Sequence, residues 1–200
     1  MFIQIIQGRC TRQDELRAMA ESWRREMATD AVGWLGGTYG FTDDDMFVGV
    51  IRFESREAAM ANSARPEQGA WAEKMMALMD GDIEYHDCDD VTLMMDGGSD
   101  EAGFVQVIRG RVSDPSRLKA LMADTELLHE LRPEILGATL AFEDDGTFTE
   151  TVAFSDEAAA REGERREMPG MPEEARSTLG EAMADATFYD LHHPWFESKE

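Results

Sequence analysis

The sequence predicts an α+β protein built from two copies of one βαββαβ unit. A repeated strand and a repeated order of elements carry this prediction. Residues 2–9 (FIQIIQGR) return 102 positions later as residues 104–111 (FVQVIRGR), with five of eight positions identical and two exchanged between Ile and Val. A repeat this long indicates a duplicated domain rather than a short stacked unit.

Further matches follow 101 positions apart. Residues 35–38 (LGGT) match residues 136–139 (LGAT). Three phenylalanines keep the same spacing, Phe41, Phe47 and Phe53 matching Phe142, Phe148 and Phe154. Each copy is therefore a unit of about 90–95 residues, a size that can hold one small core.

The strands of the first copy are predicted by alternation and by the turns that bound them. Residues 2–9 alternate and are rich in Ile. Residues 32–41 are glycine-rich but strand-like, and the acidic turn at residues 43–45 leads into a strand over 46–53, so these two strands form a hairpin. Residues 82–87 form the last strand.

The helices are predicted by apolar spacing and by their first residues. Residues 16–27 place apolar side chains at helical intervals. Residues 55–62 form a short helix that Ser55 caps. Pro66 starts another helix over residues 66–79, since proline is favoured in the first turn.

The order β-α-β-β-α-β is the ferredoxin-like plan, and the second copy repeats it. The expected organisation is a first unit over residues 1–95, a linker over 96–103 and a second unit with a C-terminal tail over 104–200. A four-stranded sheet with helices on one face leaves its other face uncovered. Two such units in one chain are expected to pair those faces as an intrachain pseudo-dimeric α+β barrel, which predicts a monomer.

Composition restricts the partners. The formal net charge of −23 leaves no excess of Lys and Arg to neutralise phosphates, so neither nucleic acid nor an anionic membrane surface is expected as a partner. No stretch approaches 18 continuous apolar residues, so no membrane span is expected, and no signal peptide is expected because a strand pattern opens the sequence without a basic region and apolar run before it. Two cysteines without a spacing motif fit a reducing compartment, so a cytoplasmic location is expected.

Together, the strand at residues 2–9, its copy, the helix after each and the junction at residues 53–59 (FESREAA) resemble the dimeric α+β barrel superfamily. The resemblance is greatest to its antibiotic biosynthesis monooxygenase branch, in tandem form. It implies a ligand pocket between sheet and helices in each unit. Enzymes of that branch oxidise aromatic polyketides without metal or flavin, or degrade haem, so the resemblance implies no cofactor. Asn62 stands where haem-degrading members carry a Trp, which argues against haem degradation.

The two halves differ in their aromatic side chains. Trp23, Trp34, Tyr39 and Trp71 all lie in the first half, and their partners in the second half are not aromatic. Aromatic residues with polar atoms are common in small-molecule pockets, so these side chains are expected to line a pocket for an apolar or aromatic ligand in the first half. The alternative interpretation is that they simply fill the core.

Three glutamines lie on the repeated strands. Gln4 and Gln106 occupy the same place in both copies, which favours hydrogen bonds between the sheets over a binding role. Gln7 shares a face with Ile3 and Ile5, the face expected against the helices, and is therefore the predicted substrate-binding amide.

His86 and Tyr39 are the predicted catalytic residues. His86 beside a pocket is a possible general base, although a lone histidine is more often structural. Residues 86–90 (HDCDD) carry metal-ligand types, but alternation divides them between two faces, so no metal site is expected.

Two functions stay open from the sequence. One is a cofactor-independent oxygenase in which Tyr39 and His86 position and deprotonate an aromatic substrate. The other is a non-catalytic protein that binds a small apolar ligand or a partner.

Overall fold

The computed structural model describes residues 1–167 and 170–199. Within those ranges the chain forms ten strands, seven α-helices and one short 3-10 helix. None of the helices described is long and apolar enough to cross a membrane.

The first copy of the repeat contains eight elements in the part of the chain described. They are β1 (Phe2–Arg9), α1 (Gln13–Glu26), the 3-10 helix (Ala28–Asp30), β2 (Trp34–Phe41), β3 (Met46–Phe53), α2 (Arg56–Ser63), α3 (Pro66–Met76) and β4 (Glu84–Cys88).

The remaining elements comprise the second copy and one extra strand on each side of it. They are β5 (Asp90–Met94), β6 (Phe104–Arg111), α4 (Pro115–Met122), α5 (Thr125–Leu131), β7 (Ile135–Phe142), β8 (Thr147–Phe154), α6 (Glu157–Arg165), α7 (Glu173–Ala184), β9 (Thr187–Leu191) and β10 (Trp195–Ser198).

Two antiparallel sheets result, and their strand orders correspond. The first runs β10-β2-β3-β1-β4 and the second β5-β7-β8-β6-β9, each with five strands among the residues described. Removing β10 and β5 leaves the same ferredoxin-like order in both. The predicted α+β fold with two tandem ferredoxin-like units is therefore confirmed.

The outer strands divide the chain differently from the predicted boundaries. One compact unit comprises residues 1–89 with the segment that starts at Trp195, and the other comprises residues 90–194. Residues 90–94, expected in the first unit, pair with β7 of the second, and β10, expected in the tail of the second unit, pairs with β2 of the first.

Glycine lets β10 approach β2 closely. The β2–β3 register shifts between Trp34 and Gly36, and the β7–β8 register shifts at the equivalent place, between Ile135 and Gly137. Gly36 has φ +146°, and a Cβ there would lie 2.7 Å from the Glu197 carbonyl oxygen. A residue with a side chain at position 36 would therefore push β10 away.

The helices cover the face of β1 that carries Gln4 and Ile6. Ile6 packs against Leu16 of α1, and Gln4 and Ile6 line the pocket beneath the helices. The expected helix-facing set of Ile3, Ile5 and Gln7 is therefore wrong. Both faces of β1 are rich in apolar residues, so alternation alone did not identify the covered face.

Candidate functional site

A pocket of about 80 Å³ lies between the sheet and helices of the first unit. It is lined by Trp23 of α1, Trp34 and Tyr39 of β2, and Trp71 of α3. The structure thus brings together four of the residues that the sequence predicted around a ligand. Leu16, Ala20 and Trp23 lie on one stripe of α1, which explains why that helix presents Trp23 to the sheet.

Packing already engages most of these rings. Trp23 meets Trp34 edge to face, with ring centroids 5.2 Å apart. Trp23 Nε1 donates to Gln68 Oε1 at 2.7 Å, and Trp71 Nε1 donates to the Met19 carbonyl at 3.3 Å. Trp34 is 2% exposed, and its Nε1 has no acceptor among the residues described. Of these three indoles, it is therefore the one whose N–H is left without a partner among the described residues.

Tyr39 is held between other rings. It stacks on Trp195, with centroids 5.5 Å apart, and on Phe47, with centroids 6.5 Å apart. Burial raises the pKa of the Tyr39 phenol well above its usual range, and the nearby Arg52 only partly offsets this. The phenol therefore stays protonated and can donate a hydrogen bond, but it does not act as a base at neutral pH.

The other two predicted site residues lie on the opposite face of the sheet. His86 pairs with Ile5 across β4 and β1, and Gln7 shares the face of Ile3 and Ile5. His86 Nε2 lies 3.5 Å from Glu84 Oε2 on the same strand. Neither His86 nor Gln7 lines the pocket that contains Tyr39, because successive side chains on a strand point to opposite faces.

Gln4 and Gln106 instead make the same contact inside their own units. Gln4 Nε2 donates to Asp87 Oδ1, and Gln106 Nε2 donates to Asp190 Oδ1, both at 2.9 Å. The expected hydrogen bonds between the sheets are therefore wrong for these donors. Gln4 and Gln106 recur because each ties the first strand of its unit to the last.

The second unit holds a much larger cavity, of about 520 Å³, between its sheet and helices. Its walls are mostly apolar and include Ile108, Val152 and Phe154 of the sheet and Leu179 and Met183 of α7. Its volume and lining are those of a small-molecule site.

Glu150 is a buried carboxyl in this cavity. It lies in the middle of β8, between Leu140 of β7 and Ile108 of β6, and is 7% exposed. None of the described residues donates a hydrogen bond to it. Burial raises its pKa to about 7, and the charge of Arg132 opposes that rise.

Charged groups line the same cavity but are bound to one another. Arg132 Nε pairs with Glu134 Oε1 at 2.5 Å. Arg161 of α6 pairs with Glu164 and Asp190, and Gln106 bonds to both of those carboxylates. Glu150 is therefore the carboxyl of this cavity that is available for proton transfer to or from a ligand.

The difference in volume between the two cavities has a local cause. In the first unit, Trp195 pairs with Tyr39 and Tyr39 with Gly49, and the two stacked rings fill the space on this face of the sheet. In the second unit the corresponding register is Thr92, Leu140 and Glu150. A threonine, a leucine and a carboxylate leave space where the first unit has a tyrosine and a tryptophan.

Sequence reasoning missed Glu150, although a signal is present. In residues 147–154 (TFTETVAF) the apolar positions Phe148, Val152 and Phe154 share a face, and Glu150 lies on that face. A charged residue at an inward position of a strand is costly unless it is paired or functional.

The residues described contain no cluster of His, Cys, Asp and Glu that could hold a metal ion. The polar groups of the two pockets are amides, hydroxyls, indoles, arginines, carboxylates paired with arginine, and the carboxyl of Glu150.

Comparisons with protein-family models and with curated proteins give no match to this sequence. Solved structures match along nearly the whole chain. A candidate monooxygenase from Fusobacterium nucleatum is 10% identical with a TM-score of 0.74, covering 99% of this chain and 94% of its own. One from Lactobacillus acidophilus is 13% identical with a TM-score of 0.71, covering 95% and 92%. An anthrone oxidase-like protein is 11% identical with a TM-score of 0.67, covering 100% and 94%. At these identities the likeness establishes the tandem fold.

Proposed function

We propose that this protein is a cofactor-independent oxygenase that acts on an aromatic small molecule in the cavity of the second unit. The observation that carries the proposal is that cavity itself: about 520 Å³, mostly apolar, with one buried carboxyl that the described residues leave unbonded. The similarity in fold to candidate monooxygenases and to an anthrone oxidase-like protein supports the reaction class by analogy.

The reaction that fits is oxidation of an acidic aromatic methylene to a carbonyl. One molecule of O₂ supplies the carbonyl oxygen, and its second oxygen leaves as water with the two hydrogens of the methylene. The four electrons that reduce O₂ come from the substrate, so the balance needs no separate electron donor. The apolar walls hold the rings and exclude water from the reacting carbon.

A second candidate function belongs to the first unit. Tyr39 is the one ionisable side chain among the described residues that line its pocket, and that phenol stays protonated. We therefore propose that the first pocket binds a small aromatic molecule without chemistry. A ligand oxygen that accepts from Trp34 Nε1 would satisfy a buried donor that the protein leaves unpaired.

Two equivalent substitutions test which pocket carries turnover. Val152 and Ile51 line the second and first pockets at matching strand positions, 101 residues apart. Oxygen uptake is measured with anthrone and with hydroxylated polycyclic substrates, with and without a chelator. Val152→Phe should lower uptake by narrowing the second cavity, whereas Ile51→Phe should retain it. The reverse pattern would move the reaction to the first unit, and loss of uptake on chelation would contradict the cofactor-independent mechanism.

A further inference from the structure

We propose that Glu150 is the general base of the second unit's cavity and that it takes a proton from a neutral aromatic substrate bound there. This inference rests on the proposed function, and it adds the catalytic residue and the charge state of the substrate.

Glu150 is not needed for the fold. Its register position in the first unit holds Gly49, and the same ferredoxin-like order forms around that glycine. A buried carboxyl without a hydrogen-bond donor lowers the free energy of unfolding. Stability of the fold therefore does not explain why a glutamate occupies this position. A ligand in the cavity would supply the partner that the described residues do not.

The protonation equilibrium of Glu150 suits a base at neutral pH. Burial raises its pKa to about 7. Near pH 7 about half of the molecules therefore carry the carboxylate, and the protonated form returns its proton readily. A glutamate of ordinary pKa would be ionised throughout but would be a much weaker base.

Groups from every surrounding element define the electrostatic field at Glu150. Arg132 follows α5, Arg161 and Glu164 belong to α6, Asp190 belongs to β9, and Gln106 of β6 is neutral. The residues of α4 and α7 that line this cavity are apolar. The two arginines are already paired with carboxylates, so the field does not favour an anionic ligand.

The substrate is therefore a neutral, largely apolar molecule with one acidic O–H or C–H bond. In the proposed step that bond breaks, its electron pair stays on the substrate, and the proton bonds to a carboxylate oxygen of Glu150. One negative charge moves from the carboxylate to a delocalised substrate anion, so the net charge of the cavity does not change.

The decisive experiment measures proton transfer without oxygen. Anthrone is incubated anaerobically in D₂O with the full chain, and exchange of its methylene hydrogens is followed by NMR against a buffer blank. Glu150→Gln should lower the protein-catalysed exchange by about 10²–10⁴-fold, the usual contribution of a general base. Glu150→Asp should recover part of the rate, because it restores a carboxylate at a shorter reach.

The control is Glu162→Gln, which removes an exposed carboxylate from α6 that does not line the cavity. Thermal unfolding of every variant at pH 7 checks that the fold is intact. The exchange rate of the unsubstituted protein should rise with pH through about 7, and Glu150→Gln should abolish that rise.

The outcomes separate the two proposals. If the protein does not catalyse exchange, or if Glu150→Gln catalyses it as fast as the unsubstituted protein, the role of Glu150 is overturned, whatever the oxygen assay gives. Exchange that depends on Glu150 but leads to no oxygen uptake when air is admitted overturns the oxygenase and supports the base. An infrared band of a protonated carboxyl that titrates near pH 7 and is missing in Glu150→Gln would support the assignment in the ligand-free protein.

Discussion

Tyr39 lies directly opposite Gly49 across the β2–β3 pair, and a Cβ at position 49 would lie 3.2 Å from Tyr39 Cδ1. A side chain at position 49 would therefore crowd the ring, and a Cβ at Gly37, on the same strand as Tyr39, would clash with the Tyr39 hydroxyl oxygen. In the second unit the equivalent pair is Leu140 and Glu150, and neither side chain carries a ring. Exchanges at these register positions thus accompany the difference between a filled pocket and an open cavity.

The first prediction is that Tyr39→Leu opens the first pocket. Leu is the residue at this register position in the second unit, so the backbone tolerates it. Loss of the ring and of its stacking should lower the free energy of unfolding by roughly 2–4 kcal/mol. Urea denaturation measures the cost, and binding of a single-ring probe such as indole should become tighter. Unchanged binding would show that the ring does not limit the pocket volume.

The second prediction concerns β10, the strand that pairs with β2 at the edge of the first sheet. Trp195 is 6% exposed and packs against Tyr39, Phe41 and Phe47. Trp195→Ala should cost about 3–5 kcal/mol of unfolding free energy. Thr92 holds the same register position in the second unit and is only partly buried, so Thr92→Ala is the matched control and should cost much less. If denaturation shows that both variants lose the same free energy of unfolding, Trp195 does not fill the first unit as its ring contacts indicate.

The third prediction compares two indoles. Trp23→Phe removes a donor bonded to Gln68, whereas Trp34→Phe removes one without a described acceptor. Apart from the similar loss of volume, Trp23→Phe should therefore be more destabilising by about 1 kcal/mol. Chemical denaturation of both variants measures the difference. If Trp34→Phe proves the costlier of the two, the indole N–H of Trp34 has a partner in solution.

The fourth prediction is a pH dependence of stability. The pKa of Glu150 is about 7 in the folded protein, against 4.5 for an ordinary glutamate. The protonated Glu150 contributes fully to the free energy of unfolding below pH 4.5. That contribution is lost as the pH rises from 4.5 to about 7, because the Glu150 carboxyl of the unfolded chain ionises before that of the folded protein. Between pH 4.5 and about 7, the free energy of unfolding of Glu150→Gln should rise by on the order of 3 kcal/mol relative to that of the unsubstituted protein. Above pH 7 this difference should stay constant. Denaturation curves at pH 4.5, 6, 7 and 8 test this, and parallel curves would refute the raised pKa.

The fold was largely predictable because the repeat fixed it twice. The strand at residues 104–111 supports the interpretation of residues 2–9, and both hairpins follow the same spacing. The outer strands were not predictable in this way. Residues 90–94 and 195–198 are short, and nothing in their alternation indicates which sheet they join.

The site was harder to predict, for two physical reasons. β1 carries apolar residues on both faces, so the helix-covered face was misassigned and Gln7 and His86 were expected on the wrong side of the sheet. Aromatic content indicated the first unit as the ligand site, yet Tyr39 and Trp195 fill much of that space themselves. The more open cavity formed where small and polar side chains replace those rings.

The position of β10 also affects how the chain can fold while it is being made. Residue 89, the last of the first segment of this unit, is added to the chain about a hundred residues before Trp195. At typical rates of synthesis that interval is roughly 5–20 s, during which the β2 edge and the rings of Tyr39, Phe41 and Phe47 have no cover from Trp195. The first sheet is therefore completed by a strand that is made about a hundred residues after residue 89, and a chain that stops before residue 195 would leave the β2 edge of its first unit unpaired.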